Sequence, residues 1–121
     1  MTVFDDFMRV IREMWPENRC AVLVGCYTGL SLTVVLRLVP GHLIGDTICF
    51  GCKCYPIPHD LALALRRNSS RFLLFPGRDY AFAPRTRQAV YKDMIRARRQ
   101  VGVHTRFTPM SCRKLLRFKP L

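Results

Sequence analysis

Charge divides this chain into two halves of different character. Residues 1–60 carry five basic and six acidic side chains, whereas residues 61–121 carry fifteen basic and two acidic ones, so the net charges are −1 and +13. Sixteen of the twenty basic residues are Arg, whose planar guanidinium group can bind a phosphate through two hydrogen bonds. The sequence therefore predicts a near-neutral half that folds and a basic half that binds a polyanion, RNA or DNA.

The candidate nucleic-acid contacts are basic residues from three successive groups of the second half. They are Arg66, Arg67, Arg71, Arg85, Arg87, Lys92, Arg96, Arg98, Arg99, Arg113, Lys114 and Arg117. Aromatic residues are interspersed with these groups, as is typical of sites where nucleobases stack on rings. These aromatic residues are Phe72, Phe75, Tyr80, Phe82, Tyr91 and Phe107. The same Arg and Lys residues also fit a nuclear import signal or a helix on an anionic membrane surface.

Hydrophobic spacing predicts an α+β fold. Apolar residues recur every three or four positions from Phe4 to Met14, which indicates a short N-terminal helix that Pro16 ends. Farther along, Leu or Val occupies every second position from Leu30 to Leu38, which is the alternation of a half-buried strand. The sequence thus predicts a small antiparallel meander, with strands at about 20–26, 30–39 and 43–50.

The second half is expected to add helices and one short strand. A helix is predicted over 61–67, because Pro58, His59 and Asp60 are suited to its start. The brief apolar run at 72–75 predicts a buried strand. A basic amphipathic helix is predicted to begin at Pro84 and to run to about Gln100, closed by Gly102.

Length and composition suit one folded unit. The chain has 121 residues, half of them apolar, which is enough for a single small core. We expect this domain to cover residues 1–102 and the basic tail at 103–121 to be ordered only in part.

Three cysteines and a histidine lie within eleven residues: Cys49, Cys52, Cys54 and His59. The two-residue gap between Cys49 and Cys52 lets two thiolates reach one zinc ion, and His59 can supply an imidazole ligand. Asp5, Asp6 and Glu13 interrupt the segment in which a signal peptide would need a basic and then an apolar run, so we expect an intracellular, reducing environment in which cysteines are thiols or metal ligands. The cluster therefore predicts zinc, with buried thiols and a redox-active pair as the alternatives.

The functions that remain open are those of binding proteins. The sequence contains no Gly-x-Ser-x-Gly, no Gly-rich phosphate loop and no paired-carboxylate motif, so we do not expect an enzyme. One alternative to nucleic-acid binding is a host-protein interaction module, in which the first helix or the meander binds the partner and the basic half directs nuclear import. Another is membrane association through the basic helix and residues 20–36, which are uncharged but slightly shorter than a bilayer span.

Three short motifs, eleven residues in all, resemble those of the geminivirus pre-coat protein. They are Trp15-Pro16-Glu17 with Arg19-Cys20, then His59-Asp60-Leu61, then Arg78-Asp79-Tyr80. The whole profile is similar to that of small basic cysteine-containing plant-virus accessory proteins, many of which bind RNA or suppress host RNA silencing. The resemblance implies a silencing suppressor of the host cytoplasm and nucleus, with Cys20 and the cysteine cluster as the first residues to test.

Overall fold

Helices and a small antiparallel sheet make up this α+β fold. The computed structural model describes residues 3–77 and 83–104, with the side chains of residues 3 and 4 excepted. In chain order the elements are α1 (Val3–Glu13), α2 (Pro16–Thr28), α3 (Leu32–Val35), a 3-10 turn (Pro40–His42), β1 (Leu43–Ile44), β2 (Thr47–Phe50), β3 (Lys53–Pro56), α4 (His59–Asn68) and α5 (Arg87–Val101). The Arg78-Asp79-Tyr80 motif, Phe82 and nearly all of the predicted tail, with Arg113, Lys114 and Arg117, lie outside the described residues.

The predicted N-terminal helix is confirmed as α1. Its apolar face buries Phe7, Val10 and Ile11 to 2 % exposure or less, and this face packs on α5. Pro16, which was expected to end the helix, instead opens the next one, because α1 ends at Glu13 and Pro16 takes the first position of α2. A proline suits that position, since the first amide of a helix has no partner within the helix.

The strand predicted at 20–26 is wrong, because these residues lie within α2. This helix contacts α3, α4, α5 and β3, and is therefore buried on most of its circumference. A helix that is covered all round needs no polar face and so loses the 3.6-residue pattern by which amphipathic helices are recognised.

The strand predicted at 30–39 is also wrong. Gly29 ends α2 in the left-handed conformation, with φ of 76°, and the Ser31 side chain accepts a hydrogen bond from the amide of Val34 to start α3. The buried positions Leu32, Val35 and Leu36 follow the three- and four-residue spacing of a helical turn. The run from Leu30 to Leu38 fits the two-residue period of a strand as well as the helical period, because Val34 and Val35 are adjacent. The Ser31 cap favours the helix.

The antiparallel meander exists, but it lies farther along the chain than predicted. Its strand order is β1-β2-β3. The strand expected at 43–50 is divided into β1 and β2, and the segment that contains Cys54 forms β3. Each hairpin turns on two residues, Gly45-Asp46 and Gly51-Cys52. Both glycines have positive φ while the residues after them do not, which is the pattern of type II′ turns.

The helices of the second half are confirmed, and the predicted strand at 72–75 is not. α4 extends the prediction of 61–67 slightly at both ends. Residues 72–75 form no strand, and isolated backbone bonds, from the Leu74 amide to Leu38 O at 3.0 Å and from the Arg85 amide to Phe75 O at 2.9 Å, tie them to neighbouring segments. α5 begins at Arg87, later than the predicted start at Pro84, because the Thr86 hydroxyl caps it by accepting from the Ala89 amide. It is closed by Gly102, as predicted, with φ of 72°.

A buried carboxylate joins three helices at the corner between α1 and α2. Asp93 of α5 is 6 % exposed, and its Oδ2 accepts from the Trp15 amide at 2.8 Å and from Asn18 Nδ2 at 2.9 Å. Its Oδ1 accepts from Arg96 Nη2 at 2.7 Å. Arg96 also donates to the carbonyl of Glu13 at 2.9 Å, so the end of α1 and the start of α2 are both held by α5.

No helix in the ranges 3–77 and 83–104 is long and apolar enough to cross a lipid bilayer. The uncharged stretch at 20–36 is divided between α2 and α3, with Gly29 between them.

We expect Asp93→Asn to destabilise the fold by about 2 kcal/mol, because an amide carries no charge and must turn a donor towards groups that themselves donate. Chemical denaturation measures this loss. Asp60→Asn, a change at an exposed carboxylate in the first turn of α4, is the matched control and should stay within about 0.5 kcal/mol of wild type. Equal stability of the two variants would contradict the role assigned to Asp93.

Candidate nucleic-acid interface

Three arginines converge on one groove beside the start of α5. Arg37 follows α3, whereas Arg85 and Arg87 flank the Thr86 cap, and together they line a groove of about 280 Å³. The other described residues along this groove are Thr33, Leu36, Pro84, Thr86 and Gln88. Its described lining therefore contains no acidic side chain, and we name it the arginine groove.

Local contacts hold the arginine groove in shape. The Arg85 amide donates to Phe75 O at 2.9 Å, which fixes the segment before α5, and Arg87 Nη1 donates to Thr33 Oγ1 at 3.2 Å. The first turn of α5 has no acidic residue, so the partial positive charge of the helix start is not offset there. Positive charge is thus concentrated at the groove by side chains and backbone together.

A second groove, of about 560 Å³, lies on the neighbouring face of α5. Its described lining includes Trp15, Ala89 and Lys92, and it shares Pro84, Arg85 and Thr86 with the arginine groove. Because of this common wall the two grooves are contiguous. We name the second one the tryptophan groove, since the Trp15 side chain is 53 % exposed along it.

The structure divides the predicted nucleic-acid contacts into three groups. Arg85, Arg87 and Lys92 line the two grooves. Arg66, Arg96 and Arg98 donate to backbone carbonyls of this chain, those of Gly45, Glu13 and His104, and Arg96 also lines the tryptophan groove. The third group, Arg67, Arg71 and Arg99, is exposed and lines neither groove.

Two residues of the grooves were missed by the sequence analysis, Arg37 and Trp15. Arg37 is an isolated basic residue in an apolar segment of the near-neutral half. The candidate contacts were chosen from the basic half, so they did not include it. Trp15 was part of a resemblance motif but was not among the predicted stacking residues, although it is the single Trp of the chain. Of the predicted stacking residues that are described, Phe75 is buried, whereas Phe72 and Tyr91 are exposed and line neither groove.

A further cavity, of about 630 Å³, lies between α2 and α4 and has balanced charge. Among its described lining residues Arg19 and Arg67 face Glu17 and Asp60, so it offers no net attraction to a polyanion. Cys20 lines this cavity with little exposure. Burial raises the pKa of the Cys20 thiol to about 11, so the thiol is protonated and unreactive at neutral pH.

The cysteine cluster lies on the second hairpin, apart from the two grooves. Cys49 and Cys54 are directly opposite each other on β2 and β3 and form a disulfide bond, although thiols were expected there. Cys52 is an exposed free thiol at the turn, and His59 Nδ1 lies 3.0 Å from Asp46 Oδ2. Within the described residues no three potential ligands gather at one point, and zinc stays a prediction for the reduced chain.

No family model, curated protein or solved structure matches this chain.

We expect an alkylating reagent such as iodoacetamide to modify Cys52 far faster than Cys20 in the folded protein at pH 7.5. Thiolate is the reactive form, and a pKa of about 11 leaves Cys20 almost wholly protonated. Peptide mapping after timed quenching measures both rates. In denaturant the two rates should become similar, which is the control, and rapid native labelling of Cys20 would contradict its burial.

Zinc content is expected to depend on the redox state of the hairpin. Sulfurs joined in a disulfide cannot act as thiolate ligands, so chain with Cys49 bonded to Cys54 should carry no zinc. Reduced chain purified without chelator should carry about one zinc, lost in a Cys52→Ser/Cys54→Ser variant and kept in Cys20→Ala. Elemental analysis measures this, and metal-free reduced protein that remains folded would end the prediction.

Proposed function

We propose that this protein binds nucleic acid through the arginine groove at the start of α5. The observation that carries the proposal is the convergence of Arg37, Arg85 and Arg87 on one groove whose described lining has no acidic residue. Guanidinium groups bind phosphate oxygens through charge-assisted hydrogen bonds. A helix start adds backbone dipoles of the same sign.

The free hydrogen-bonding capacity of these side chains supports the proposal. Arg37 is exposed. Arg87 uses one of its nitrogens for a neutral hydroxyl, which leaves its charge uncompensated. A phosphodiester would supply both the missing acceptors and the missing negative charge.

Lys92 extends the positive surface along α5 into the tryptophan groove, where Arg96 compensates the charge of the Asp93 carboxylate. A line of basic groups follows a phosphate backbone better than it fits one isolated anion. The ligand class is therefore a nucleic acid strand. Suppression of host RNA silencing, which rests on the resemblance to plant-virus accessory proteins, would be one use of such binding and stays a prediction.

A charge-matched pair of double variants tests the proposal. Arg37→Gln/Arg87→Gln should weaken binding of an RNA or DNA oligonucleotide about tenfold or more, because each guanidinium removed takes away a charge-assisted hydrogen bond. Arg67→Gln/Arg71→Gln removes the same charge outside the groove and should have a much smaller effect. Fluorescence anisotropy with a labelled oligonucleotide measures both affinities.

Salt titration separates direct binding of phosphate from general attraction. On a single strand, the slope of log K against log salt should become shallower by about 0.7 for each phosphate that the variant no longer neutralises, and only in the groove variant. Affinity that does not change with salt, or an equal decrease of affinity in the two double variants, would overturn the assignment of the groove.

A further inference from the structure

An exposed indole ring borders the positive surface. Trp15 is 53 % exposed and lines the tryptophan groove together with Lys92 and Arg85. An exposed tryptophan beside cationic groups matches the two requirements of a nucleotide, an aromatic face for the base and positive charge for the phosphate.

The ring is held in place before any ligand binds. Trp15 precedes Pro16 at the start of α2, and its amide donates to the buried carboxylate of Asp93 at 2.8 Å. The Arg96 guanidinium lies 5.5 Å from the ring centroid, and Arg96 is itself bonded to Asp93 and to the carbonyl of Glu13. A side chain fixed in this way loses little conformational freedom when a base stacks on it.

The two grooves also have the arrangement that a strand requires. They share the wall formed by Pro84, Arg85 and Thr86, so a base in one groove and a phosphate in the other belong to neighbouring positions of one ligand. From this juxtaposition we propose that the protein binds single-stranded nucleic acid, with an unpaired base stacked on Trp15 and the adjoining phosphate in the arginine groove.

This inference rests on the proposed function and adds the form of the ligand. In a duplex the faces of the bases are already covered by their neighbours, so stacking on a protein ring requires an unpaired base. Polyphosphates and anionic lipid surfaces can supply the charge, but they have no base for the ring. RNA and DNA share the required chemistry, and parallel measurements distinguish them.

Trp15 itself reports the event, because it is the only Trp in the chain. Titration of the full chain with a short oligouridylate should quench its fluorescence saturably, and an oligothymidylate tests DNA in the same way. A duplex of equal length, inorganic polyphosphate and anionic phosphatidylserine vesicles are the comparison ligands. We expect weaker binding and little quenching with each of them.

Variants at exposed aromatic positions test the contribution of the ring. Trp15→Ala should weaken binding of labelled oligouridylate by about fivefold to a hundredfold, and Trp15→Phe should restore part of the loss. Phe72→Ala removes another aromatic ring, 55 % exposed, that does not line either groove and should leave affinity unchanged. Unfolding midpoints measured alongside confirm that each variant is folded.

The outcomes distinguish this inference from the proposed function. If oligonucleotides bind and Arg37→Gln/Arg87→Gln weakens them, while Trp15→Ala does not and no quenching occurs, stacking is overturned and the arginine groove stands. Equal affinity for duplex and single strand also overturns stacking. If no oligonucleotide binds, or if only vesicles or polyphosphate bind, both the inference and the proposed function are overturned.

Discussion

The carboxylate of Asp93 is the contact on which the arrangement of the helices depends. It is buried in α5 and accepts hydrogen bonds from the start of α2 and from Arg96, which in turn binds the last carbonyl of α1. Helix ends that turn a corner leave amides and carbonyls without partners inside the helices. One buried charge and one arginine satisfy an amide and a carbonyl at this corner, and so fix three helices relative to one another.

Arginine serves two purposes in this chain, and its surroundings decide which one applies. Arg19 donates to the carbonyls of Ile11, Arg12 and Met14 at the end of α1, while Arg9 donates to the carbonyl of Val101 at 2.7 Å. These side chains stabilise the fold. At the arginine groove, by contrast, the described residues offer no carboxylate, and the guanidinium groups are available to a ligand.

The error in the sequence prediction at α2 has a tertiary cause. α1 and α5 were recognised because one face of each is apolar and the other is polar, and α5 also has a local stop residue in Gly102. α2 was mistaken for a strand because its neighbours cover it on several sides, so its sequence carries no polar stripe. Burial by distant elements removed the pattern that prediction uses.

The sequence by itself determined the features that depend on neighbouring residues: the basic second half, the Gly102 stop of α5 and the close spacing of the cysteines. Tertiary structure decided which charges are free. Arg96 and Glu13 are 83 positions apart, and nothing local reveals that one binds the other. It also brought Trp15 and Arg37 from the near-neutral half to the start of α5, because packing of α1 and α2 on α5 places them there.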